Sequence, residues 1–222
     1  MEKKSGWFIL IIFIALIVFS CKHEIPVVPV TGGNTGVCFE DAVLPLFQSN
    51  CSKSGCHDAD TRAGGYQLDN HTNILARGII ASNGADSKMY KVLIDSNSAA
   101  VMPPSYNNAL TDSQKNLIKT WINEGAKNTT NCSSCDSSKF TFAANIQPIL
   151  QTHCLGCHGG VAIDGGFIPL DNYDGVKQLV KKLYPSVSHA ENADPMPKIG
   201  NKLNDCKIAT IRKWIDAGAP DN

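Results

Sequence analysis

One short stretch of the chain has the residue types and spacing for a specific chemistry: Cys154-Leu155-Gly156-Cys157-His158. Two thiols separated by two residues and followed at once by a histidine form the attachment pattern of a c-type haem. The thiols add to the two vinyl groups of the porphyrin, and the histidine is placed to ligate the iron from one face. The pattern therefore predicts Cys154 and Cys157 as covalent attachment points and His158 as an iron ligand.

A stretched version of the same pattern lies upstream. Four residues separate Cys51 from Cys56, and His57 follows directly. The longer spacing requires a small bulge, which the small residues between the two cysteines permit. We expect these cysteines to attach a second haem and His57 to ligate its iron. The alternatives are a structural disulfide or a metal-binding pair, although a zinc site needs four converging nitrogen or sulfur ligands.

Both motifs belong to an internal repeat. In each copy an apolar segment with a proline precedes the cysteines, a Gly-Gly segment ending in Leu-Asp-Asn follows, and a Met-Pro element leads to a closing helix with Trp-Ile and Gly-Ala. The matched segments are 43–48 and 146–151, 64–70 and 165–172, 101–104 and 195–198, and 117–126 and 211–219. The repeat predicts a mainly α fold of two tandem domains with long loops, at 37–132 and 133–222, hereafter the first and second modules.

The elements that position the motifs are predicted to be helices. One helix ends before each cysteine pair. The first closing helix begins with Thr111 as its cap and Gln114 completing a capping box, and Asn204 is the equivalent cap in the second module. Gly125 and Gly218 stand where these helices end. Between each motif and its methionine, many Gly, Asn and Asp residues predict loops and short helices.

Methionine is the predicted ligand on the opposite face of each iron, because histidine with methionine is a usual pair in cytochromes c. Met102 and Met196 occupy equivalent positions in the repeat, and each is followed by a proline that stiffens the loop. Met89 has no counterpart and is interpreted as a core residue. His189 lies shortly before Met196 and is the alternative iron ligand in the second module.

Two other histidines are expected at the surface. His71 follows the Leu-Asp-Asn segment of the first module, where the second module has Tyr173. His153 directly precedes Cys154, and contact with a haem propionate is the alternative to a solvated side chain there.

The N-terminus predicts export and anchoring. Two lysines precede an apolar run from Trp7 to Phe19, which is short for a membrane span and suited to a signal peptide. The run ends in a segment that resembles a bacterial lipobox, with Cys21 as the lipidated residue. Residues 1–20 are then a lipoprotein signal peptide and residues 21–36 a flexible tether. Ordinary signal cleavage and a retained anchor are the alternatives.

The remaining cysteines suggest disulfides. Cys21 and the four motif cysteines leave Cys38, Cys132, Cys135 and Cys206, an even number in a protein predicted to be exported. We favour Cys38–Cys132 with Cys135–Cys206, because each bridge then ties the start of a module to its closing region. The competing scheme has a local Cys132–Cys135 bridge and a Cys38–Cys206 bridge.

The Cys-x-x-Cys-His motif, the Met-Pro element and the closing Trp-Ile-x-x-Gly-Ala segment resemble cytochrome c domains common in exported proteins of Bacteroidetes and planctomycetes. The resemblance extends over about Cys38 to Asn222. It implies helices wrapped round a buried haem, with histidine below the iron and methionine above it. The stretched motif of the first module departs from the commonest form of this pattern.

These observations predict a dihaem c-type cytochrome that holds two haem c groups with their iron and transfers single electrons. It is expected in the bacterial cell envelope, lipid-anchored on the periplasmic side or at the cell surface, between a redox donor protein and an acceptor. The formal net charge is zero, so nothing favours a nucleic-acid partner. With both axial positions of each iron filled, an electron carrier is favoured over an enzyme. The alternatives are a dihaem peroxidase-like oxidoreductase, an accessory subunit of a larger redox complex, and a disulfide-stapled binding module without haem.

Overall fold

The computed structural model describes residues 36–97, 100–132, 135–160 and 169–222. The regular elements in these ranges are helical, which confirms the mainly α class. The α-helices are α1 (Leu44–Asn50), α2 (His71–Leu75), α3 (Lys88–Leu93), α4 (Asp112–Asn123), α5 (Gln147–His153), α6 (Leu155–His158), α7 (Tyr173–Ser188) and α8 (Asp205–Asp216). Two π-helical turns, Phe39–Val43 and Phe142–Ile146, lead into α1 and α5.

The predicted signal peptide, lipidation at Cys21 and nearly all of the tether lie outside the described residues. Within the described ranges, no helix is both long enough and apolar enough to cross a bilayer.

The apolar side chains form two separate cores. The first core gathers Phe39, Phe47, Ile118, Trp121 and others between Val37 and Ala126. The second gathers side chains between Phe142 and Ala219 around Trp214. Burial of such large side chains is the main favourable contribution to folding. The two cores fall on the two copies of the sequence repeat.

The helices before the cysteine pairs form as the sequence predicts. Pro45 and Pro148 both lie in the first turn of their helices, where a missing backbone N–H costs no intrahelical hydrogen bond. Helix α1 ends directly before Cys51, and α5 ends directly before Cys154. Each first cysteine is therefore held at a helix end that is anchored in its own core.

The closing helices α4 and α8 also begin and end as predicted. Thr111 and Gln114 form the complete capping box at the start of α4, and Asn204 accepts a hydrogen bond from the backbone of Lys207 at the start of α8. The glycines after the helices, Gly125 and Gly218, have φ of +93° and +91°, which glycine adopts without steric cost.

The second module differs from the prediction between its haem motif and its methionine. Short helices were expected there, and the first module has them in α2 and α3, but the second module has the 16-residue helix α7. Asn172 caps α7, and Val176, Leu183 and Val187 lie buried along one face of it. Their helical spacing is the signal that the glycine and asparagine content of this region obscured.

Both favoured disulfides are seen in the structure. Cys38 is bonded to Cys132, and Cys135 is bonded to Cys206. The Cys38–Cys132 bridge joins the entry to α1 with the segment after α4, and Cys135–Cys206 fastens the start of the second module to α8.

Candidate haem-attachment sites

The second module contains a cavity of about 670 Å³. Its wall includes all four residues predicted to hold haem there: Cys154, Cys157, His158 and Met196. The structure thus brings a thiol pair, an imidazole and a thioether to one space, although His158 and Met196 are 38 positions apart in the sequence. The volume lies in the range of ligand and cofactor pockets.

Local backbone hydrogen bonds fix the motif at the edge of this cavity. The amides of Cys157 and His158 both donate to the carbonyl of Cys154, at 3.1 and 2.8 Å, and so wind the motif into the single turn of α6. The carbonyl of His158 in turn accepts from the amide of Leu170 at 2.7 Å. Leu170, with Leu183 and Leu203, adds an apolar lining.

The first module repeats part of this arrangement around its longer motif. The amide of His57 donates to the carbonyl of Cys51 at 3.1 Å, and the carbonyl of His57 accepts from Leu68 at 2.9 Å, as its counterpart accepts from Leu170. The amide of Cys56 donates to Lys53, closing a turn inside the motif. The extra residues are thus absorbed by a turn, and the histidine keeps an equivalent backbone position.

The ring of His57 is oriented by a backbone carbonyl. Its Nδ1 lies 3.3 Å from the carbonyl oxygen of Tyr66. A carbonyl only accepts hydrogen bonds, so Nδ1 carries the proton and Nε2 keeps its lone pair. This is the second contact that metal-binding histidines typically make, and it suits Nε2 for iron.

The first cysteine of each motif is desolvated by the protein. Burial raises the pKa of Cys51 to about 12, with a smaller contribution from nearby Cys56. Burial likewise raises the pKa of Cys154 to about 12, with a smaller contribution from Cys157. Because of these raised pKa values, both groups are thiols at neutral pH. Thiolates are the forms that oxidise and exchange, so burial protects both cysteines from these reactions. None of the four motif cysteines is in a disulfide of the described residues.

The two predicted methionine ligands are placed by matching contacts. The amide of Met102 donates to Val92 at 2.8 Å, and that of Met196 donates to Ser186 at 3.1 Å. Each acceptor lies in or near the helix that precedes the loop. Met102 packs against the first core, whereas Met196 lines the cavity of the second module. Met89 is buried in the first core, as predicted.

The comparisons with known proteins agree with this chemistry. A family model described as Planctomycete cytochrome C matches residues 54–106. The matched segment includes Cys56, His57 and Met102, all in the first module. The match supports a c-type cytochrome-like protein. It also supports haem c with its iron as the cofactor and electron transfer as the type of activity. No curated protein and no solved structure matches the chain.

Two histidines of this cytochrome-like chain are less exposed than expected. The Nε2 of His71 lies 2.8 Å from the carbonyl of Ala126, and the ring packs edge-on against Phe39. Tyr173, its counterpart, donates its hydroxyl to the equivalent carbonyl of Ala219 at 2.8 Å. His71 is therefore partly buried and held by these contacts, and it is not a freely solvated surface residue. The repeat could have shown this, since both residues carry a ring and a polar tip at one position.

His153 is also not a solvated side chain. Its Nε2 is buried with no hydrogen-bond partner among the described residues, and the residue lines the cavity. Burial, with a smaller effect of the positive charge of Lys207, lowers the pKa of His153 to about 3. His189, the alternative ligand in the second module, has its Nε2 3.1 Å from the carbonyl oxygen of Met196.

The first module supplies part of the wall of the second module's cavity, which the sequence did not indicate. Ser49 and Lys53 line it from the region of α1. Asp41, also in the wall, forms an ion pair of 3.4 Å with Lys207 of α8. Both side chains of this pair are largely buried, and burial lowers the pKa of Lys207 despite the opposing effect of Asp41.

Proposed function

We propose that the chain is a dihaem c-type cytochrome that carries single electrons at a bacterial envelope membrane. The observation that carries the proposal is the cavity of the second module, which gathers Cys154, Cys157, His158 and Met196 in one wall. Imidazole and thioether are the axial donor pair of electron-transfer cytochromes. The family match over residues 54–106 supports the same chemistry in the first module.

In this proposal each residue type has one role. The cysteines fix the porphyrin covalently, at Cys51 and Cys56 in the first module and at Cys154 and Cys157 in the second. His57 and His158 bind the iron from one side. The carbonyl of Tyr66 holds the ring of His57 in the tautomer that leaves Nε2 for the metal. Met102 and Met196 bind from the other side.

The bound haem supplies reversible one-electron chemistry, and the chain determines how that chemistry is used. With histidine and methionine on both faces, no coordination position is open to a small substrate. Leu170, Leu183 and Leu203 give the second site an apolar wall suited to the porphyrin. A protein built in this way accepts and passes on electrons through its surface, which requires a donor protein and an acceptor protein.

The membrane location follows from the N-terminal sequence. Lipid on Cys21 would anchor the protein, and the Pro- and Gly-containing tether up to residue 36 would set its distance from the membrane. The protein would face the periplasm or the outside of the cell, where the two disulfides persist.

The deciding experiment is the intact mass of the mature protein after export in cells with cytochrome c maturation. We expect the mass of a chain beginning at Cys21 plus lipid and two haems. Cys154→Ser/Cys157→Ser and Cys51→Ser/Cys56→Ser should each lose a covalent haem, seen as a mass loss and a halved haem absorbance. A mass that Cys51→Ser/Cys56→Ser changes only by the two atoms replaced would show that the first module attaches no haem, and a colourless wild-type protein would overturn the proposal.

A further inference from the structure

The two haem-attachment motifs lie against each other in the fold. The sulfur of Cys157 is 3.7 Å from the carbonyl oxygen of Ser49, which is two residues before Cys51. The hydroxyl of Ser49 also donates to the carbonyl of Thr152 at 3.4 Å. The end of α1 thus packs onto α5 and α6. Cys51 of the first motif lies only two residues along the chain from Ser49, which contacts Cys157 of the second motif.

Gly156, between the cysteines of the second motif, permits this approach. A Cβ atom at that position would overlap the backbone carbonyl of Ser49. The overlap is with backbone and not with a flexible side chain, so a larger residue requires the two modules to move apart. Gly156 is therefore fitted to the contact between modules, in addition to any role within its own motif.

The contact between the end of α1 and the second motif, hereafter the junction, is also held by a residue of the stretched motif. Lys53, between Cys51 and Cys56, is only 5% exposed. Its ammonium group donates to the carbonyl of Gly156 at 3.2 Å and to the side-chain oxygen of Asn107 at 3.1 Å. Hydrogen bonds from a charged donor are stronger than neutral ones.

Neighbouring side chains extend the junction. The side-chain amide of Asn108 donates to the backbone carbonyl of Leu155 at 3.1 Å and to that of Gly156 at 3.4 Å. The side-chain amide of Gln114, at the start of α4, donates to the backbone carbonyl of Gln151 at 3.0 Å. Three side chains of the first module thus donate to backbone carbonyls at or beside the second motif, which fixes the position of one motif relative to the other.

We propose that this junction is the route by which an electron passes between the two modules, and that Lys53 is the clamp that keeps the route closed. The inference rests on the dihaem function proposed above. The route runs from Cys51 along two residues to the carbonyl of Ser49, and across the 3.7 Å contact to the sulfur of Cys157. Once a haem is attached, both ends of this route are thioether sulfurs, and the contact at Cys157 is one of van der Waals packing.

The step would move one electron and no atoms: the haem held by one module would be oxidised, the haem held by the other would be reduced, and no bond would form or break. Because electron tunnelling weakens steeply with each gap between packed atoms, the rate depends on how closely Ser49 and Cys157 are held. Loss of the clamp should therefore slow the exchange without removing either haem.

The test compares electron equilibration between the haems after flash photoreduction of the oxidised protein. In the wild type we expect a kinetic phase that reports electron transfer between the two haems. Its rate should not depend on protein concentration, because the transfer takes place within one molecule. Lys53→Met, which keeps the side-chain length but removes the donor, should slow this phase severalfold. Asn108→Ala, which removes two donated bonds, should slow it as well. Lys91→Met is the matched control, since Lys91 is exposed and pairs with Asp86 on the surface.

The haem content of each variant, measured by intact mass, separates the two proposals. A wild type with fewer than two haems would overturn the dihaem function itself. A wild type with two haems but no concentration-independent phase would overturn the junction. Unchanged rates in Lys53→Met and Asn108→Ala, each with both haems attached, would do the same. If Lys53→Met attaches fewer haems, Asn108→Ala decides.

Discussion

The two modules keep the same contacts where the haem motif must be supported and differ where they meet each other. In both, the buried indole of the closing helix donates to a carbonyl six residues later, from Trp121 to Lys127 and from Trp214 to Pro220, each at 2.9 Å. The residues that are not repeated include Lys53, which lies in the longer motif. They also include His153, because the first module has Asn50 at the equivalent position. Both line the cavity near the junction.

Each module combines repeated contacts with residues of its own, and the latter join the two modules at one site. The repeated contacts preserve a common frame, in which the motif histidine and the closing helix are held in the same way in both modules. The unrepeated residues are freed from that frame and serve the interface, as the insertion containing Lys53 does in bonding to Gly156. The stretched motif of the first module thus places Lys53 against the backbone of the second motif.

Replacing the methionines proposed as ligands is the strongest test of the equivalence of the modules. Met102→Ala and Met196→Ala should each change the spectrum of one haem and lower its reduction potential, because a thioether ligand raises the potential. The drop should be on the order of 0.1 V, within the roughly 0.8 V over which axial ligands tune haem. Potentiometric titration followed by absorbance measures both effects.

Met89→Ala is the control for the methionine variants. Met89 is buried in the first core at 6% exposure. Its loss should cost roughly 2–5 kcal/mol of stability and leave both potentials unchanged. If Met102→Ala behaves in the same way as Met89→Ala, the first module takes its second ligand from elsewhere.

The two disulfides should contribute almost equally. They span sequence separations of 94 and 71 residues. When a bridge acts through chain entropy, loops of these lengths are each worth roughly 4–5 kcal/mol, since the dependence on length is logarithmic. We expect similar losses in the free energy of unfolding for the Cys38→Ser/Cys132→Ser and Cys135→Ser/Cys206→Ser proteins, measured in urea. A loss confined to one pair would show that the modules differ in how they depend on their bridges.

Within a module the sequence predicted the caps and the helix ends but missed α7 and the contacts of His71, and it also missed what lies between modules. The caps at Thr111 and Asn204 and the helix ends before the cysteines follow from local patterns, because their hydrogen bonds join residues close in sequence. The repeat aligned Met102 with Met196. The approach of Ser49 to Gly156 and the pairing of Asp41 with Lys207 join residues more than a hundred positions apart, and no local pattern encodes such contacts.

His153 should make the second module sensitive to acid. Its pKa is about 3 in the folded protein, against the ordinary histidine value of 6.5 that applies once the chain unfolds. Between these values the unfolded chain binds a proton that the folded protein does not, so stability falls as the pH drops through this window. At pH 4 the loss from this group amounts to roughly 3 kcal/mol relative to pH 7.

The matched variant is His153→Asn, which installs the residue found at the equivalent position of the first module. Asn50 donates its side-chain amide to Leu46 at 2.9 Å, so an asparagine is suited to this helix end. Urea unfolding of both proteins at pH 7 and pH 4 should show a smaller acid loss in the variant. Equal losses would show that His153 can be protonated in the folded state.

The caps of the closing helices give the smallest and most selective comparison. Thr111 caps only its own helix, so Thr111→Ala should cost about 1 kcal/mol. Asn204 caps α8 and also donates to the carboxylate of Asp41 at 3.2 Å, so Asn204→Ala should cost about 2 kcal/mol. Asn204→Ser separates the two contributions, because serine caps a helix well but is too short to reach Asp41. Urea unfolding should place it midway between wild type and Asn204→Ala. If Asn204→Ser is as stable as the wild type, the bond to Asp41 adds nothing, and the side chain of Asn204 acts within its own module alone, as that of Thr111 does.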